Sequence, residues 1–379
     1  MAIEYLGTGI LYENPRPHVR SRHGYFPGLA ALPGGDLIAL FVISEAFESA
    51  DATTWVARSK NLGRTWNLEA PLRSLPSAGA ANTPDLAERT SDYLKPAVLR
   101  DGRIVAMGYR FIRRDPEQGI AIEATGGVLP GENIISFSQD EARTWTTARI
   151  IPRMRPELLE VSGPCLELRS GDLVAVAAPY RLPDGGNPSG QIGILLRSPD
   201  RGITWSDDEV FFRSPRGDLT PYESRVCEMQ DGRLVAIVWA YDTSSGRQHP
   251  NHVVVSHDGG RTWSEPIDTG HWGQAANLLW LGGDRLLVVQ AHRGDDPAIY
   301  VRVVEFSRDR WQPLEERAIY GLGTRRQTVA GQAMPEMFAS LRFGQPSLLN
   351  LSDGEVLAVH WAVEDGQGKI RTHRLRVRV

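Results

Sequence analysis

Ser256-His-Asp-Gly-Gly-Arg-Thr-Trp263 is one of four versions of a single eight-residue phrase. The others are Ser59-Lys-Asn-Leu-Gly-Arg-Thr-Trp66, Ser138-Gln-Asp-Glu-Ala-Arg-Thr-Trp145 and Ser198-Pro-Asp-Arg-Gly-Ile-Thr-Trp205. A phrase that returns along a chain in this way marks a fold built from repeated units. Its chemistry suits a tight hairpin. Asp accepts hydrogen bonds from its own turn, Gly reaches positive φ, and Thr-Trp opens the next strand with a large packing side chain. Asn61 replaces the Asp in the first copy and Ala142 the Gly in the second. Ser307-Arg-Asp-Arg-Trp311 reads as a degenerate fifth.

Between these phrases runs a second repeat, an apolar strand, a Gly/Asp turn and another apolar strand. It occupies Leu29–Leu40, Pro96–Met107, Pro164–Val176, Arg225–Ile237, Ala276–Val288 and Pro346–Val359. Six hairpins, most followed by a turn phrase, give six four-stranded antiparallel units. None can bury both faces alone, and radial packing about an axis solves this. The expected fold is therefore all-β, a six-bladed β-propeller forming a single domain over residues 1–379. Strand Ile3–Tyr12 should join strand Lys369–Val379 in one blade and close the ring. The alternating Arg/Leu/Val tail reads as an edge strand with one wet face.

A formal charge of −4 argues against a nucleic-acid footprint, which needs a basic patch. No apolar run reaches membrane-spanning length, and residues 1–9 show no signal-peptide pattern. A cytoplasmic protein is the resulting expectation, with oligomeric state open. Cys165 and Cys227 sit in apolar strand patterns and read as buried thiols. No metal-ligand spacing and no cofactor motif is visible. His249, His252 and His257 read as solvated or structural.

In a propeller, the Asp-Gly turns of the inner hairpins share one face of the disc. Residues just outside those hairpins meet on the opposite face, around the axis. Blade one brings Arg22, His23, Tyr25, Glu45 and Asp51 there, and blade two Asp92, Lys95, Tyr109 and Arg110. Blade three brings Glu157, Glu160, Tyr180 and Arg181. Blade four brings Tyr222, Glu223, Arg225, Trp239, Tyr241 and Asp242. Blade five brings His271, Trp272, Gln274, Asn277, His292 and Arg293, and blade six Arg342, Gln345, His360 and Trp361. Carboxylates, cations and aromatics in one pocket suit a carbohydrate, because rings stack on sugar faces and carboxyls do acid/base work. Two long segments, Leu68–Ser91 and Arg317–Arg342, are candidates to overhang this face.

The turn phrase resembles the Asp-box, Ser-x-Asp-x-Gly-x-Thr-Trp, of the sialidase (neuraminidase) superfamily. The resemblance covers nearly the whole chain and implies a sialidase-like propeller with the boxes away from the catalytic face. It also implies three carboxylate-binding arginines, an acid Asp, and a Tyr nucleophile activated by a Glu. Asp51 falls where the acid Asp falls, and Glu223 matches the Glu. The rest departs from the pattern. Tyr25, in Gly24-Tyr-Phe-Pro27, stands in place of the first arginine, and Trp239 in place of another. Pro346-Ser347 replaces the Tyr-Ser phrase. Arg293 is a loose counterpart of the blade-five arginine, and Arg22, Arg225 or Arg110 are candidates to substitute in space.

Three functional readings follow. The first is an exo-glycosidase acting on a terminal sugar, acidic sugars included. Asp51 is its acid and Glu223 its base or nucleophile, with Tyr25 and His23 beside them. Arg22, Glu45, Arg225, Trp239, Tyr241, Trp272, Gln274, His292, Arg293, Gln345 and His360 contact the substrate. The second is a polysaccharide lyase on a uronic acid, with Arg293 or Arg225 as carboxylate neutraliser and His23, Tyr25, His292 or Tyr241 as base. The third is a non-catalytic glycan-binding propeller. Fold alone does not choose among them.

Overall fold

The computed structural model describes residues 2–72, 89–323, 326–327, 334–352 and 354–378. Six antiparallel blades of four strands surround one axis. Blade one runs outward through His23–Ala31, Leu37–Ser44, Thr53–Ser59 and Asn67–Pro71, and blade two through Arg89–Val98, Ile104–Arg113, Gly131–Ser138 and Arg149–Ile150. In blade three the innermost strand is broken into Leu159–Glu160 and Leu166–Glu167, ahead of Leu173–Pro179, Gly193–Ser198 and Ser206–Phe212. Blade four uses Thr220–Glu228, Leu234–Asp242, His252–Ser256 and Ile267–Asp268. Blade five uses Ala275–Gly282, Arg285–His292, Ala298–Glu305 and Gln312–Tyr320.

The second strand of each blade has neighbours on every side. Leu37–Ser44 is buried at all of its positions, and its near-continuous apolar sequence is what two buried faces require. Apolar side chains then interleave between blades. Val174, Val176 and Leu195 of blade three pack with Leu234, Ala236 and Val238 of blade four. Val235, Ile237 and Val253 continue into Leu286, Val288 and Val304 of blade five.

The turn phrases lie between third and fourth strands, as their residues predict. Asp258 Oδ1 accepts the Thr262 N–H at 2.9 Å and the Ser256 hydroxyl at 2.8 Å. Ser256 Oγ in turn accepts the Gly260 N–H at 2.8 Å, and Trp263 Nε1 donates to the Gly260 carbonyl at 2.9 Å. The Ser, Asp and Thr bonds recur around Asp140 and Asp200, and the Trp bond recurs at Trp205 but not at Trp145. These bonds stabilise the charged carboxylate and hold Asp140, Asp200 and Asp258 down at about 2. Each turn needs left-handed residues. Ala142 accepts φ 65° where the other copies use Gly63, Gly202 and Gly260.

Blade six closes the ring. Its strands are Phe343–Asn350, Glu355–Glu364, Gln367–Arg378 and, outermost, Ala2–Tyr12. The arginine-rich tail is therefore an interior strand, not an edge, because Ala2–Tyr12 pairs along its outer side. Ion pairs hold both of its faces: Glu355 receives Arg374 and Arg376, each at 2.7 Å, on one, and Glu364 receives Arg371 on the other. The Glu364 face also carries a buried hydrogen-bond chain. The Tyr5 hydroxyl donates to His373 Nδ1 at 3.1 Å, His373 Nε2 to His360 Nε2 at 2.9 Å, and His360 Nδ1 to the Trp361 carbonyl at 3.0 Å. The carbonyl accepts only, so the order of donors is fixed and both rings are neutral.

Burial pulls His360 down to about 4 and His373 to about 2, the latter also through its histidine neighbour. Both folded values lie below the unfolded 6.5. The unfolded chain thus binds protons below pH 6.5 that the folded pair refuses, and stability falls as the pH drops from about 6.5 towards 4. The expected slope is roughly 1 kcal/mol per histidine per pH unit. Denaturant midpoints between pH 7.5 and 5 should fall less steeply in His373→Gln than in wild type. Equal slopes would contradict this account.

Candidate functional site

On the face away from the turn phrases, the inner strands wall an axial cavity. Every blade contributes to it. Tyr93, Tyr109, Tyr180, Tyr222 and Trp239 form an aromatic arc from blade two to blade four, with successive ring centroids 5.4, 5.9, 6.3 and 5.7 Å apart. Trp361 and Phe26 continue the wall on the other side. Met337 and Phe338 of the short helix Met334–Ser340, with Leu341 and Phe47, cover the top. Part of the segment expected to overhang does so. Residues 73–88 of the other, Leu68–Ser91, lie outside the described residues.

Four polar side chains line this apolar chamber: Glu160, Glu223, Arg293 and Gln345. Backbone irregularity delivers two of them. Register slips at Tyr25/Gly28, Tyr222/Arg225 and Gly344/Ser347 mark β-bulges in the inner strands of blades one, four and six. At the bulges, Phe26, Glu223 and Gln345 have φ of 54°, 45° and 40°. No other non-glycine residue within a described strand has a left-handed φ. Such conformations cost roughly 1–3 kcal/mol each and cluster where a side chain must be re-aimed. Glu160 comes instead from the break in the blade-three inner strand.

The polar groups form one network. Glu223 N–H donates to Glu160 Oε2 at 2.8 Å. Gln345 Nε2 donates to Glu223 Oε1 at 2.7 Å, and Lys95 Nζ donates to Gln345 Oε1 at 2.7 Å and to the Phe26 carbonyl. Beneath them Arg225 donates to Ser162 Oγ and the Ser224 carbonyl. Desolvation, then the charge of Glu223, pushes Glu160 well above the usual carboxylate range, so it holds a proton at neutral pH. Desolvation and the charge of Arg225 push Lys95 well down. Arg293, 4% exposed, is lowered to about 10 by burial. It donates Nε to the Phe343 carbonyl and lies over the Trp361 ring.

Of the residues given a catalytic or substrate-contacting role from sequence, the structure brings Glu223, Trp239, Tyr241, Arg293 and Gln345 into the chamber, with Arg225 just beneath, and the rim residues Tyr109, Glu160, Tyr180, Tyr222 and Trp361 line it as well. The others stand elsewhere. Asp51 is exposed and lines a separate outer depression with Glu45, its Oδ1 accepting the Glu45 N–H and the Ser49 hydroxyl. Phe47 and Phe338 border both hollows. Tyr25 is buried behind the chamber against Phe47 and Trp361, its phenol pushed up to about 12. His23 bridges blades one and six by accepting the Gly368 N–H, and Arg22 lies over Trp55. Trp272 is 44% exposed, Gln274 is buried within blade five, and His292 pairs with the Asp295 carbonyl. His360 belongs to the blade-six histidine chain. Glu160 and Lys95, rim positions among many, prove central. Glu160's sign in the sequence was a carboxylate beside the apolar break before Pro164. Both cysteines are buried and free.

No protein-family model and no curated protein sequence matches the chain. Solved structures do share its fold. A Dyadobacter fermentans DSM 18053 protein of unknown function aligns over 99% of both chains at 20% identity and a TM-score of 0.73. The Hadza microbial sialidase Hz136 aligns over 94% of this chain and 66% of its own, at 18% identity and a TM-score of 0.64. The Penicillium chrysogenum alpha-L-arabinanase bound to arabinobiose aligns over 98% of both chains, at 14% and 0.64. At these identities the likeness is one of fold: the chain is a six-bladed propeller of the kind seen in sialidases and an arabinanase.

Gly344 is the position where the chamber's arginine has no room to spare. A Cβ there would sit 1.7 Å from Arg293 Nη2. The guanidinium is the flexible partner and should yield before the backbone does. Gly344→Ala is expected to fold with a melting temperature close to wild type. Its crystal structure should show Arg293 turned off the Phe343 carbonyl; an unmoved Arg293 would refute this reading.

Proposed function

We propose that this protein is an exo-acting glycoside hydrolase that removes a terminal sugar. The carrying observation is the pair of carboxyls in the aromatic chamber, Glu160 and Glu223, set in different environments. One is dry and holds its proton; the other accepts a hydrogen bond from Gln345. Paired carboxyls driven apart in acidity are how acid and base roles are divided in glycoside hydrolysis. Glu160 is the general acid, in place of Asp51, whose carboxylate is engaged in its own turn outside the chamber. Glu223 is the nucleophile or base. The aromatic arc supplies stacking faces, and a chamber roofed by Met337 and Phe338 suits one end of a glycan better than its middle. Arg293 on the wall extends the reading to an acidic sugar.

The Asp-box resemblance of the turn phrases and the sialidase and arabinanase neighbours support the same substrate class. The lyase reading is less favoured. His23 and His292 stand outside the chamber, Tyr25 is buried behind it, and burial raises the Tyr25 and Tyr241 phenols. Raised phenols are poor bases at neutral pH.

The test is a panel of 4-methylumbelliferyl glycosides of neutral and acidic sugars, with ultraviolet absorbance monitored for unsaturated uronate. At least one glycoside should be hydrolysed, with no unsaturated product. kcat/KM should fall on the basic side of neutrality, as Glu160 loses the proton it must donate. Glu160→Gln should cost about 10²–10⁴-fold on a poor leaving group and far less on a 2,4-dinitrophenyl glycoside, which needs no protonation. Glu223→Gln should abolish turnover of both. A protein that binds glycans on an array unchanged by either substitution, and hydrolyses none, is instead a binding propeller.

A further inference from the structure

Gln345 joins Lys95 to Glu223, and nothing in the reaction so far gives this contact a task. A glutamine amide presents an acceptor at one end and donors at the other. It can aim at a carboxylate in two ways, and only the NH₂-first orientation is attractive. Here the choice is made from behind. Lys95 Nζ donates to Oε1, which leaves Nε2 to face Glu223. Lys95 is itself 4% exposed and is aimed by the Phe26 carbonyl.

The backbone around this contact is unusual in a way that packing does not demand. Within the described strands, Phe26, Gln345 and Glu223 are the three non-glycine residues with left-handed φ. One supplies the carbonyl that holds Lys95, one is the linking amide, and one is the carboxylate. Strain in three separate blades thus converges on a single line of hydrogen bonds. Such strain persists only where surrounding structure enforces it, and it collects at working sites.

We infer that Lys95 is a positioning residue that acts through Gln345 to hold the Glu223 carboxylate at its working angle. The inference rests on the reading of Glu223 as the reacting carboxylate. Lys95 lies outside the chamber lining; its charge is felt at Glu223 and Glu160, but its directional hold on the Glu223 carboxylate passes through the amide. Without Lys95 the Gln345 side chain is free to turn over and present its oxygen to Glu223, replacing an attraction by a repulsion.

Two measurements test this. The first needs no substrate. In protein labelled with ¹⁵N at glutamine side chains, Gln345→Met assigns the Gln345 amide resonances. Lys95→Met, which keeps the bulk and removes the donor, should shift or broaden that pair while leaving the other glutamines in place. An unmoved Gln345 pair would overturn the inference. The second uses whichever 4-methylumbelliferyl glycoside the wild type hydrolyses. Lys95→Met should lower kcat roughly tenfold or more with KM within about twofold, and displace the acidic limb of the pH profile. The double variant Lys95→Met/Gln345→Met should be no slower than Gln345→Met alone, because both act on one line. Losses that multiply would show Lys95 acting on its own and refute the relay. If no glycoside is hydrolysed, the hydrolase reading fails and the resonance experiment alone decides whether the relay exists.

Discussion

The pairing of Ala2–Tyr12 with Gln367–Arg378 is the constraint on which the molecule depends. Each blade exposes an apolar face that only a neighbour can cover, so an open row of five and a half blades would leave two such faces to water. Closing the ring removes both at once. It does so with chain termini, which converts a long-range contact between residues hundreds of positions apart into ordinary strand hydrogen bonds. The histidine chain from Tyr5 to Trp361 and the arginines on Glu355 and Glu364 then lock this strand pair on both its faces. Closure also makes the site. Gln345 belongs to blade six and Lys95 to blade two, and their contact exists only because the ring brings blade six back beside blade one.

A propeller's axis is an awkward place for polar chemistry. Regular pleating points alternate side chains of an inner strand towards neighbouring blades, not along the axis. Three bulges and one strand break solve this, since each local irregularity turns one residue out of the pleat. The cost is backbone strain and the loss of some ladder hydrogen bonds. The return is a set of side chains from different blades that meet at hydrogen-bond distance on a rigid frame, with apolar packing between blades absorbing the strain.

Much of the fold was legible in the sequence because its signals are local. The Ser-x-Asp-x-Gly-x-Thr-Trp turn carries its own hydrogen-bond net within eight residues, so each copy declares a hairpin without help from distant partners. Apolar strands flanking Gly/Asp turns declare the inner hairpins in the same way. The arginine-rich tail was misplaced because alternation reports one polar face and says nothing of whether a further strand pairs alongside. The site was legible only in part. Rim position predicted Glu223, Arg293 and Gln345, but that rule gives every rim residue equal weight. It could not tell that Glu160 and Lys95 turn inward while Asp51 folds back on its own loop. Those outcomes depend on a strand break at Glu160 and a loop turn at Asp51, and nothing in Tyr222-Glu-Ser-Arg225 announces a left-handed glutamate.

The departures from the sialidase pattern are best read as a set. Of the two residues standing where that resemblance expects guanidinium groups, Trp239 lines the chamber and Tyr25 is buried behind it. Buried charges must be compensated nearby or neutralised. With Arg293 on the wall and Arg225 and Lys95 beneath, two ionised carboxylates in so dry a space are poorly supported, and it is Glu160, the more buried, that takes up a proton. Burial and the charge of Glu223 thus set the two carboxyls apart. On the hydrolase reading, the aromatic arc holds the sugar by its ring faces and the two carboxyls divide acid and base between them.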